Sequence, residues 1–183
     1  MQSKSLILAV ALACAGTAAQ AAAPDYMPLG SGTYLGSVGA DTHGTPANWS
    51  FWRFNVDFLD TATLTVTPGP TDFDVVFGVW YGLESDTANY FDLFSGAAAS
   101  SVFVGLGDGT DPWTVGPGVP ATFSFTNTYG NDDFVLAIAD YTDELGSGMM
   151  TYTLTAAVPE AETWGLMLAG LGLVGLAARR RRA

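Results

Sequence analysis

Gly107-Asp108-Gly109-Thr110-Asp111 sets two carboxylates three residues apart among glycines, a pattern that can wrap a hard cation in oxygen ligands. Calcium takes about six to eight oxygens. Asp132, Asp133, Asp140, Asp143 and Glu144 add donors if their loops gather at one end of the fold. The plainer alternative is an Asp/Gly turn at the surface. The expectation is no cofactor, with calcium held by Asp108 and Asp111 as the one candidate. Trp113 follows in the same Gly/Pro-rich segment and is the candidate for stacking on a sugar ring. Trp49, Trp80, Tyr81 and Tyr90 are read first as core or inter-strand packing, with sugar stacking as their alternative role; Trp52 is assigned to the core.

Other chemistry is limited by what the chain lacks. It has one histidine, His43, and one cysteine, Cys14. A nucleophile needs an adjacent base, and a zinc site needs several nitrogen or sulfur ligands, so neither is readily built here. No P-loop, no dinucleotide-binding fingerprint and no G-x-S-x-G occurs. A glycosidase-type carboxylate pair stays open as a rival, although nothing singles out a pair. The expectation is no catalytic residue and no enzyme. Among 6 basic and 18 acidic residues, Lys4, Arg179, Arg180, Arg181, Arg182, Glu160 and Glu162 lie near the termini; residues 22–158 keep Arg53 against 16 acids, a net charge near −15. Such a surface repels phosphate backbones, which excludes nucleic acid as a partner.

The elements that must position these residues read as strands. In 50–58, Trp52, Phe54, Val56 and Phe58 fall on one face, with Arg53, Asn55 and Asp57 on the other. In 61–67, Ala62, Leu64 and Val66 alternate with four threonines, whose β-branching also favours extended chain. Residues 73–81 and 134–140 are apolar on both faces and read as interior strands. Shorter strands are expected over 33–38, 91–94, 101–106, 121–126 and 151–157, the last with Tyr152, Leu154 and Ala156 inward. Eight or nine short strands with Gly/Pro/Asn/Asp turns, and no long amphipathic helix, predict an all-β antiparallel sandwich, jelly-roll or Ig-like; a closed barrel is the competitor.

Both ends read as targeting segments. Lys4, an apolar run over 6–13 and small residues up to Ala23 make a secretory signal peptide over 1–21, cut after Ala21 in an Ala-Gln-Ala site and exported through the Sec translocon. Its removal takes Cys14 with it, so the body 22–158 has no thiol. At the other end, residues 163–178 carry no charge and four glycines, then Arg179 to Arg182 follow. Sixteen helical residues reach roughly 24 Å, short of the ~30 Å hydrocarbon core, so the span is marginal. The arginine cluster orients the C-terminus to the cytoplasm and the body outside.

Val158-Pro159-Glu160, an acidic residue, Trp164, a Leu/Gly/Ala-rich span and an arginine cluster together resemble the PEP-CTERM sorting signal. Ala161 stands where that family usually has a second proline. The resemblance covers 159–183 and implies exosortase, a membrane protease of Gram-negative bacteria that make exopolysaccharide, as the partner that recognises and cuts the tail. It implies Pro159 and Glu160 as the recognised pair, Trp164 as the start of the span and Arg179, Arg180, Arg181 and Arg182 as its stop. It also implies transient anchoring in the inner membrane, then release to the cell surface or matrix. The functional expectation is a structural or adhesive role beside exopolysaccharide; the alternative is a carbohydrate- or calcium-binding module.

Overall fold

The computed structural model describes residues 24–40, 45, 48–90, 100–107, 116–130, 133–141, 148–159 and 170–171. Their strands form two sheets. One contains, in spatial order, β1 (Met27–Pro28), β3 (Ser50–Asn55), β8 (Asp133–Asp140), β5 (Val75–Tyr81) and β6 (Val102–Gly107). The other contains β2 (Gly32–Gly39), β9 (Met149–Ala157), β4 (Thr61–Pro68) and β7 (Ala121–Thr126). Every pairing is antiparallel except the two-residue parallel contact of β1 with β3. Two separate sheets make an all-β, sandwich-like fold rather than one closed barrel.

Alternation sets the layers. On β4, Ala62, Leu64 and Val66 are fully buried between the sheets. Its outward threonines meet hydroxyls on β7, with Thr61, Thr63 and Thr65 bonded to Thr126, Ser124 and Thr122 at 2.9, 2.8 and 3.0 Å. On β9, Tyr152, Leu154 and Ala156 point inward as the sequence predicts. The Tyr152 hydroxyl accepts from Trp52 Nε1 at 2.8 Å and lies 2.5 Å from Ser50 Oγ, tying the two sheets together across the core. Gly36 sits opposite Tyr152 in the β2–β9 register, and a Cβ there would lie 2.3 Å from the ring, so the glycine makes room for it.

β5 and β8 lie inside the five-stranded sheet and need two apolar faces. One face packs on the four-stranded sheet. The other forms a second cluster that includes Phe51, Val76, Trp80, Tyr90 and Val135. No third sheet covers it among the described residues; Tyr90 and the half-buried Tyr26, Leu83, Phe103, Leu106 and Tyr141 pack there instead. Glu84, 3% exposed, pins this cover. Its carboxylate accepts from the Ser100 and Ser101 N–H groups, each at 2.6 Å, and from Asn89 Nδ2 at 3.0 Å.

The structure departs from the sequence reading at two places. Phe58 is 54% exposed, because β3 ends at Asn55 and the chain turns, with Leu59 at φ 72° and Asp60 N–H bonded to the Asp57 carbonyl. β1 is an added strand, too short to show alternation. Trp49, Trp80 and Tyr90 are buried, in line with the packing role and not with sugar stacking, and Trp52 is in the core as expected. The strand expected over 91–94 lies outside the described residues.

Candidate functional site

The polar face of β3 begins the site. Alternation turns Arg53 and Asn55 outward while Phe54 goes into the core. β1 runs beside β3, and the Leu29 N–H donates to the Arg53 carbonyl at 2.8 Å, holding residues 26–30 along this edge. Between that edge and β2 lies a cleft of about 630 Å³ lined in part by Tyr26, Tyr34, Arg53, Asn55 and Asp133. Arg53 Nη2 is 2.8 Å from Asp133 Oδ2, and both residues line the cleft.

Both tyrosines are fixed. The Tyr34 ring tilts on Trp52 with centroids 5.4 Å apart, and its hydroxyl accepts from the Gly30 N–H at 3.1 Å. The Tyr26 hydroxyl donates to the Glu84 carbonyl at 2.8 Å and lies 2.8 Å from the Tyr90 hydroxyl. Burial pushes the Tyr26 hydroxyl above its ordinary value, so it stays neutral. The arrangement offers rigid half-buried rings beside a guanidinium, an amide and a carboxylate. Apolar C–H faces pack on such rings while planar polar groups bond hydroxyls, which is how a polyol such as a saccharide is held. Bond cleavage by the glycosidase route needs two carboxylates. The described lining of the cleft supplies one, Asp133.

A buried carboxylate pair exists elsewhere. Asp74 is 7% and Asp140 0% exposed, and the Asp74 N–H donates to Asp140 Oδ1 at 3.1 Å. Burial raises the Asp74 carboxyl, and the charge of Asp140 raises it further. Neither residue lines the cleft. Asp133 and Asp140 stand at opposite ends of β8, about 23 Å of strand apart, so these two do not gather at one end, and Asp132, Asp143 and Glu144 lie outside the described residues. Among the described residues no group of three or more potential ligands could hold a metal ion. Asp108, Asp111 and Trp113 lie outside the described residues, as do Glu160, Trp164 and Arg179 to Arg182. No helix among the described residues is long and apolar enough to cross a membrane.

Part of this site was legible beforehand. The β3 alternation placed Arg53 and Asn55 on an outward face, and Arg53 is the sole basic residue of the body. Tyr26 and Tyr34 carried no such signal, because the cleft exists only once β1 and β2 flank β3.

Three comparisons bear on the chain. No curated protein matches its sequence. By structure it is similar to CorA, a surface-associated copper-binding protein important in copper acquisition by Methylomicrobium album BG8, with TM-score 0.51 and 12% identity over 76% of this chain and 100% of that one. The pre-peptidase C-terminal domain of a Bacillus anthracis collagenase aligns with TM-score 0.45 and 14% identity over 73% and 95% of the two chains. The likeness to CorA supports the fold alone. By family, residues 157–182 match the PEP-CTERM protein-sorting motif. That motif implies export to the cell envelope or surface with exosortase as the processing partner. By its C-terminal segment, the chain is a PEP-CTERM sorting-signal protein.

Proposed function

We propose that this chain is a non-enzymatic surface or matrix protein whose body holds exopolysaccharide in the cleft at the β1–β3 edge. The cleft carries the reading: fixed tyrosine rings and the Arg53, Asn55 and Asp133 side chains meet in one concavity on an exported acidic body. Residues 1–21 act as the Sec leader. The C-terminal segment anchors the chain briefly in the inner membrane, C-terminus inside, before release. CorA is surface-associated, and the same placement is proposed here.

Affinity electrophoresis of the exported protein in gels containing the producing cell's polysaccharide tests the reading. Retardation is expected, and Arg53→Ala or Asn55→Ala should weaken it about tenfold by removing a hydrogen-bonding group at an exposed position. Loss on Trp113→Ala with the cleft variants unaffected moves the site to that loop. No retardation at all ends the glycan reading, and turnover of chromogenic glycosides contradicts the non-enzymatic one. The same gels run with calcium and with a chelator test Asp108 and Asp111: if calcium contributes, Asp108→Asn abolishes the difference between them.

A further inference from the structure

The sorting motif does not begin after the folded body but inside it. Its match starts at Ala157, the last residue of β9. Val158, next in sequence, is 2% exposed and packs in the main core. Pro159 has no N–H and cannot prolong the β2–β9 ladder. Val158 is held by a side chain instead: Ser31 Oγ accepts its N–H at 3.0 Å and donates to its carbonyl. Ser31 immediately precedes β2, whose first residue Gly32 pairs with Ala156. Both backbone polar groups of Val158 are therefore tied to the opposite end of the body's sequence, and no linker separates the core from Pro159.

A protease takes its substrate as extended chain on both sides of the bond it hydrolyses, so backbone already bound in a fold must first open locally. We propose that the Ser31–Val158 clamp sets the rate at which exosortase processes this chain, because Val158 must leave Ser31 and the core before the segment around Pro159 and Glu160 can enter the protease. The clamp forms only when β2 and β9 are paired, so the fold of the body controls removal of its own tail. The inference rests on the sorting motif and is independent of the glycan reading.

Pulse–chase of the full chain in cells carrying the exosortase tests it, following loss of the C-terminal segment by mass shift. Ser31→Ala removes both hydrogen bonds and should speed processing about tenfold, where cleavage follows the population of the locally open state. Ser31→Thr keeps a hydroxyl and should process at the parent rate. Insertion of Gly-Ser-Gly-Ser between Val158 and Pro159 supplies free chain without touching the core and should speed processing at least as much as Ser31→Ala. An unchanged rate in both Ser31→Ala and the insertion overturns the proposal. Acceleration by the insertion alone also overturns it, since the brake is then crowding at the membrane rather than the clamp.

Discussion

Glu84→Ala is expected to lower the unfolding free energy by about 3–5 kcal/mol. The carboxylate is 3% exposed and accepts from two backbone N–H groups and the Asn89 amide. Without it those donors lose a charged partner, and the segment over Trp80 and Tyr90 loses its pin. Urea unfolding at neutral pH measures the loss; a value under about 1 kcal/mol contradicts the role, because it equals that of an exposed group. Trp80 should redden in fluorescence as its cover opens.

The same residue sets a pH dependence. Burial pushes the Glu84 carboxyl up, but hydrogen bonds from Ser100, Asn89 and Ser101 outweigh it and hold the group below its ordinary value of 4.5. A depressed carboxyl contributes stability that is complete above 4.5 and lost as pH falls through the folded-state value. Asp74 runs the other way. Burial and the Asp140 charge raise it above 3.8, so its contribution is complete below 3.8 and lost as pH rises through its folded-state value. Glu84→Gln should flatten the acid limb of the stability curve, and Asp74→Asn should raise stability at neutral pH.

Asn127→Ala is the second large effect, expected at about 3–4 kcal/mol. Asn127 is fully buried at the end of β7. Its Nδ2 donates to the Val56 and Gly130 carbonyls at 2.6 Å each, and its Oδ1 accepts from the Tyr129 N–H at 2.9 Å and the Gly130 N–H at 3.3 Å. One side chain thus closes the 127–130 turn and joins it to the end of β3. Alanine leaves buried polar groups in both segments without partners, which costs more than the bonds themselves contribute. Thermal unfolding of Asn127→Ala against Asn127→Asp checks this. Aspartate keeps the acceptor oxygen but sets a buried carboxylate oxygen against the Val56 and Gly130 carbonyls, so it should be destabilised at neutral pH as well; equal stability of alanine and parent contradicts the claim.

Strands with alternation were legible because one face is apolar and the period is two. β4 and β9 declare themselves through threonines against Leu64, Val66 and Leu154, and β5 and β8 through apolar residues on both faces. What the alternation did not reveal was the cover over the second face, since Glu84 acts through backbone N–H groups 16 and 17 residues away. Phe58 misled because the hydrophobic pattern ran past the point where the Asp57–Asp60 turn ends the strand. The sorting segment needed no fold, as order and composition alone carry it. The cleft needed all of it: Tyr34 and Arg53 line it from strands of two different sheets, a placement that only the assembled fold supplies.

Intact-mass measurement of the protein recovered outside the cell, with C-terminal peptide sequencing, probes most directly whether the apolar tail is a disposable handle. A C-terminus near Pro159 or Glu160, with Arg179 to Arg182 missing, is the expected product. Recovery of chains that all end at Ala183 contradicts it and leaves a permanently anchored envelope protein.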